Sequence, residues 1–232
     1  MYKNKNILLV VLARSGSKGI KNKNIKKIQN ISLIGQVGIF SKKIDFFDEK
    51  IISTDSRKYG NIAKKFDLNF EFIRPKKLSG SKIGDLGVLR HALIKMQNIR
   101  KIKFDIIVSL PPTSPLRKIN DVKKCIRMII DKKLDSVWTI SKTDKKFHPY
   151  KALRIKNDYL KFFSQNGEKI KARQQLNETY YRNGACYAFS KNAIIKNLIL
   201  PRKSGFVICK SVQNSIDSLN DLKMVSRLFK SY

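Results

Sequence analysis

The feature that most restricts what this chain can fold into is an alternation. Short apolar-rich runs, ILLVVL at Ile7–Leu12, KIIST at residues 50–54, FDIIVSL at 104–110 and SVWTI at 136–140, are separated by longer segments whose apolar residues return every three to four positions, at 31–44, 58–66, 86–96 and 119–130. Strand-length runs without polar alternation belong to strands covered on both faces, and the intervening period is that of an amphipathic helix. A further strand is expected at 69–73. The repeated order of strand and helix predicts an α/β fold with a mainly parallel sheet and helices on both faces. Crossovers of one hand then gather the loops that follow the strands along one edge, where α/β proteins bind ligands.

After about residue 147 the rhythm changes. Residues 152–163 read as two short strands around a turn at 156–158, an extended polar stretch runs to Tyr181, and strands at 185–189 and 206–210 precede a closing helix at 219–229. Residues 147–182 are therefore expected to form an excursion from the sheet, within a single domain spanning 1–232.

Composition bounds the function. The chain has 232 residues, 42% of them hydrophobic, enough to bury one core. Lys and Arg outnumber Asp and Glu by 50 to 17, a formal charge of +33 that attracts polyanions of any kind. A compositional bias toward lysine, isoleucine and asparagine explains the charge equally well. The lysines are spread along the chain with no RNP, KH or helix-turn-helix signature, so no specific nucleic-acid partner is expected, and a basic nucleic-acid-binding protein is the non-enzyme alternative. Cys125, Cys186 and Cys209 are scattered without CxxC spacing, which suggests neither a disulfide framework nor a zinc site and fits a reducing compartment. No run approaches the roughly 18 uninterrupted apolar residues of a membrane span. No long apolar segment with a small-residue cleavage site follows the MYKNKN start. A cytoplasmic protein without membrane attachment is the expectation.

The loop after the first strand, LARSGSKG from Leu12 to Gly19, carries the most chemistry. Glycines there allow tight turns that point amide groups inward as an anion-binding nest. Arg14 adds a forked donor and Lys18 a point charge, both suited to phosphate oxygens. The spacing matches neither GxxxxGK[ST] nor GxGxxG.

Together with RPKKLSG from Arg74, LPPTSPLR from Leu110, FHPYK from Phe147 and RQQLNETYYRNGACYAF from Arg173, this loop resembles the acylneuraminate cytidylyltransferases in order and spacing, over about residues 7–222. The resemblance implies a three-layer Rossmann-like nucleotide-diphospho-sugar transferase fold. It also implies an enzyme that transfers CMP from CTP to the anomeric hydroxyl of sialic acid or a related acidic nine-carbon sugar, with Mg²⁺ and release of pyrophosphate. In that reading Leu12, Ala13, Arg14, Gly16, Ser17, Lys18, Asn24 and Arg74 bind the nucleotide, and Arg14 and Lys18 stabilise the departing pyrophosphate. Pro112, Thr113, Ser114, Arg173, Arg182 and Asn183 meet the sugar, Asp217 holds the metal, and the 147–182 excursion makes a homodimer and reaches the partner's sugar site. A CMP-Kdo synthetase or another sugar nucleotidyltransferase is the enzyme alternative.

The chain departs from the family pattern in four places, one of them Arg182, which lies one residue nearer the glycine than in many members. The first of the usual paired aspartates near the C-terminus is Ser215, leaving Asp217, while Ser218 to Asp221 reads as a capping box that opens the last helix. Magnesium takes one or two carboxylates plus phosphates and water, so Asp217 alone is chemically sufficient. Residues 81–85, SKIGD, replace an aspartate followed by small residues, and Pro111 replaces a glutamine on the sugar side. His91 is expected at a helix surface or core edge, His148 near the sugar or ordering the turn before Pro149, and Trp138 in the core.

Overall fold

The computed structural model describes residues 1–211 and 213–229. Strand β1 (Ile7–Leu12) passes into a long loop, then the short pair β2 (Lys27–Ile28) and β3 (Ile31–Ser32), then helix α1 (Leu33–Lys42). There follow β4 (Glu49–Ser53), α2 (Arg57–Lys64), α3 (Asp85–Arg100), β5 (Ile106–Ser109), α4 (Ile119–Asp131) and β6 (Ser136–Lys142). The excursion contributes the hairpin β7 (Leu153–Lys156) and β8 (Tyr159–Phe162). The chain returns through β9 (Tyr180–Ser190) and α5 (Lys191–Ile195) and finishes with β10 (Ser204–Ile208) and α6 (Leu219–Leu228).

Six strands form one sheet in the order β10-β6-β9-β5-β1-β4. All its pairs are parallel except those of β9, which runs antiparallel between β5 and β6. β1 lies between β5 and the edge strand β4, and its side chains divide by the pleat. Ile7, Leu9 and Val11 pack under α1, α2 and α4, whereas Leu8 and Val10 pack under α3 and α5. The three expected layers follow from this two-sided burial, and each fully buried Leu or Ile contributes about 1.5–3 kcal/mol. A smaller third cluster joins Ile20, Ile28, Leu33, Leu116, Ile216 and Val225, tying the opening loop, the loop after β5 and the start of α6 into one unit.

Three expected elements are corrected. The helix expected from residue 31 starts later, because Ser32 closes β3 and its hydroxyl accepts from Gly35 N at 3.1 Å as the cap of α1. Residues 69–73 run beside β4 but touch it at only two bridges, Ile51 with Asn69 and Thr54 with Ile73. Phe70 and Phe72 are half-buried and Asn69, Glu71 and Ile73 exposed, the pattern of an edge segment whose ladder is not continuous. β9 begins at Tyr180, five residues before the strand expected at 185, because its first half pairs with β6 at Ile140, Ser141 and Lys142 past a bulge. The polar stretch before it contains short 3-10 turns at Gln165–Lys169 and Arg173–Gln175. No helix among the described residues is long and apolar enough to cross a membrane.

Candidate active site

The opening loop leaves β1 at the sheet edge and is fixed at several points. Asp55, just past β4, accepts from Ser15 N at 2.8 Å and from the Ser15 hydroxyl at 3.1 Å. The buried Asn24 donates through Nδ2 to the Arg14 carbonyl at 3.0 Å. Ile20 anchors the far end in the third cluster. The expected glycine-built nest is not formed, since neither Gly16 nor Gly19 has a positive φ. Gly16 faces open space. Gly19 is required for another reason: a Cβ there would lie 2.6 Å from the Asp217 carbonyl oxygen, so the loop can pass this close to Asp217 only without a side chain.

Under this loop lies a cavity of about 500 Å³ bordered by Leu12, Arg14, Ser17, Lys18, Asn24 and Arg74, among others. Ala13 and Gly16 do not border it; Ala13 is buried in the core behind the loop. Arg74 is 4% exposed, and its Nε and Nη2 have no partner among the described residues. Burial holds its guanidinium below the usual range, partly offset by Asp55 and Asp85. Two unpaired donors on one buried guanidinium call for an acceptor from a ligand, since an unmet buried donor costs about 1–3 kcal/mol.

A second cavity of about 950 Å³ opens beside it, bordered by Thr113, Ser114, Trp138, Arg182, Asn183 and Tyr187, among others. Ser109 Oγ, Ser114 Oγ, Trp138 Nε1 and Gln213 Oε1 on its walls are buried without a partner among the described residues. The loop after β5 is held from beneath by Arg117, whose Nε donates to the Ala185 carbonyl at 3.0 Å and whose Nη2 donates to the Pro111 carbonyl. Complete burial pushes this guanidinium down to about 10. Gly184 has φ +74°, and a Cβ on it would lie 2.9 Å from Ser114 Oγ. Across the loop Thr113 accepts from Ile216 N at 2.8 Å and from the Ser215 hydroxyl at 3.3 Å.

The expected sugar residues divide. Thr113, Ser114, Arg182 and Asn183 border the larger cavity, but the Asn183 side chain is already occupied, donating to Ser141 Oγ at 2.9 Å and accepting from Ala185 N at 3.1 Å. Pro112 is buried behind the loop, and Arg173 is exposed on the excursion; neither borders either of these two cavities. His148 is 3% exposed and accepts from Tyr150 N at 3.1 Å, which orders the turn. His91 packs edge-on to Phe72 at 5.3 Å, and neither histidine borders either of these two cavities.

The two cavities meet at Ile83, Asp85 and Asp217, which border both. Lys23 Nζ lies 2.8 Å from the Asp217 carboxylate. Asp221 turns away to accept from Ser218 N at 2.7 Å while its own N–H donates to the Ser218 hydroxyl at 3.2 Å, the expected capping box. Asp85 faces open cleft space, yet the protein around it strips enough water to raise its pKa, against the pull of Arg182, Arg74 and Arg14. Asp85, Asp55, Lys23, Arg117 and Trp138 escape the site expected from sequence. Asp55 was findable, since it follows β4 at the same sheet edge, whereas Lys23 is indistinguishable from the surrounding lysines.

Comparison with known proteins identifies the family. A post-translational flagellin modification protein B of Campylobacter coli is 30% identical over 97% of this chain and 95% of its own length. A CMP-N,N'-diacetyllegionaminic acid synthase of Campylobacter jejuni is 30% identical over 96% and 94%. In fold the chain is similar to a CMP:2-keto-3-deoxy-manno-octonic acid synthetase solved with CTP, at a TM-score of 0.71 and 15% identity over 97% of this chain and 99% of that one. The cytidylyltransferase family model matches residues 8–226, and the chain belongs to that family of nucleotidyltransferases.

Proposed function

We propose that this enzyme moves CMP from CTP to the anomeric hydroxyl of an acidic nine-carbon sugar, with the triphosphate in the smaller cavity and the sugar in the larger. The observation that carries the reading is that the cation-rich cavity and the cavity with buried unpaired polar groups are separate spaces that meet at one short seam. Such an arrangement suits two substrates joined end to end. Arg14 and Lys18 offset charge developing on the departing pyrophosphate, and because Ser15 and Asn24 already fix their loop, little reorganisation is needed during the reaction. Arg182 suits the sugar carboxylate, and Ser114, Ser109 and Trp138 supply donors to its oxygens.

Magnesium fits the residues at the seam. No three His, Cys, Asp or Glu converge among the described residues, so the protein alone offers no cage, but Asp217 presents one exposed carboxylate. Asp217 would hold the ion with nucleotide phosphates and water, and the bound ion supplies charge neutralisation at the phosphates. The exposed hairpin of β7 and β8 supports a homodimer, in which Arg173 serves the partner's sugar site.

The test is purified protein with CTP, Mg²⁺ and a panel of acidic sugars, read by pyrophosphate release and product mass. The expected result is a CMP conjugate of a nine-carbon acid that disappears when the metal is chelated. A CMP-Kdo product in preference to any nine-carbon conjugate overturns the sugar assignment, and no pyrophosphate from folded protein overturns the reaction.

A further inference from the structure

Asp85 and Asp217 both border the two cavities, but they differ in what holds them. Asp217 is paired with Lys23 at 2.8 Å. The Asp85 carboxylate, at the first position of α3, makes no hydrogen bond or ion pair with any described residue. The groups that face it are Arg14 from the opening loop, Arg74 from the segment beyond β4, and Arg182 and Tyr187 from β9. A proton acceptor for the attacking hydroxyl has to stand where the sugar meets the α-phosphate. Neither histidine borders either of these two cavities, Lys18 and Lys23 are cations, and Asp217 is engaged by Lys23 and suited to the metal. Asp85 is the unpaired carboxylate that remains.

We propose that Asp85 is the general base of the reaction, an assignment that rests on the larger cavity being the sugar site. The anomeric hydroxyl gives its proton to an Asp85 oxygen as its own oxygen bonds to the α-phosphorus. The bond from that phosphorus to the bridging oxygen breaks, and its electron pair leaves with pyrophosphate. The Asp85 carboxyl then returns the proton to water. Desolvation in the cleft makes this carboxylate a stronger base than one in bulk water, with Arg182, Arg74 and Arg14 pulling in the opposite direction.

Trp138 is the one tryptophan of the chain and borders the larger cavity beside Tyr187, so its fluorescence reports sugar binding there. The probe is N,N'-diacetyllegionaminic acid added in the presence of CDP, which has no pyrophosphate to release. The wild-type protein is expected to show a fluorescence change, and Asp85→Asn to show the same change at similar sugar concentrations. Turnover by Asp85→Asn should fall on the order of 10²–10⁴-fold, the usual contribution of a positioned base. The acid limb of its kcat/KM profile should disappear, and Asp85→Glu should restore part of the rate. Wild-type turnover in Asp85→Asn overturns the proposal. So does a wild-type profile that stays flat down to the ordinary carboxylate range, a result that needs no folded variant. Turnover without any fluorescence response in the wild type locates the failure in the cavity assignment instead.

Discussion

Arg117 illustrates how far a side chain's role depends on where the fold takes it. In LPPTSPLR it is one cation among many, yet it is 3% exposed, lies 5.6 Å from the Phe40 ring and ties the Pro111 and Ala185 carbonyls together beneath the loop after β5. Arg117→Lys keeps the charge but cannot hold both carbonyls in one fork. Leaving one buried acceptor unmet costs about 1–3 kcal/mol, which lowers the melting temperature by about 2–12 °C for a chain of this size. Thermal unfolding checks this, and an unchanged melting temperature would show that the fork does not hold the loop. Asp55 and Asn24 work in the same way on the opening loop: both meet its main chain and leave Arg14 and Lys18 available. Side chains that hold the loops and side chains that meet substrate are thus different residues, and sequence motifs favour the second kind.

The hairpin of β7 and β8 is the element least able to stand alone. Every residue of both strands is exposed, with Leu153, Ile155, Tyr159 and Leu160 between 54% and 77%. A two-stranded hairpin without a covered face is marginal in water. The proposed dimer covers it, so Ile155→Glu combined with Leu160→Glu should convert a dimer into a monomer in light scattering. Sugar KM should rise as well, because Arg173 would then reach no partner site. A wild-type monomer at assay concentrations contradicts this role for the excursion. The hairpin was readable from sequence because residues 152–163 present two short strands around a turn. The parallel core was readable because Ile7–Leu12 is apolar on both faces. The antiparallel course of β9 was not, since its outer half, Tyr180, Tyr181 and Arg182, is exposed and carries no apolar period. The edge segment at 69–73 misled in the opposite sense: Phe70 and Phe72 supply a strand's alternation without a continuous partner.

At the scale of the molecule, the site is a product of topology. Strands β1, β4 and β5 run in parallel, so the loops that leave them meet at one edge, and the segment before α6 brings Asp217 to the same place, 194 residues after Lys23. The small cluster containing Ile20, Leu116 and Ile216 holds those distant segments in register. Arg14 and Lys18 were legible from the loop after β1, Asn24 and Arg74 through the family resemblance, and the fold brings all four to one cavity. Asp85 and Trp138 were not, because what distinguishes them is an unpaired carboxylate at a seam and an unmet indole N–H, properties of the folded state alone. The +33 charge supplies an attractive field for CTP but does not divide the site; the two cavities do.

If the triphosphate and the sugar occupy separate cavities, losing a cation from each should affect different Michaelis constants. Steady-state kinetics of Arg14→Ala and Arg182→Ala, each with CTP and the sugar varied in turn, should give opposite patterns. Loss of Arg14 should weaken CTP use by about 10²–10³-fold in kcat/KM, comparable to removing a donor that stabilises transition-state charge, with sugar KM nearly unchanged. Loss of Arg182 should raise sugar KM and leave CTP KM nearly unchanged. Both variants weakening the same substrate, or neither weakening any, would contradict the assignment of the two cavities.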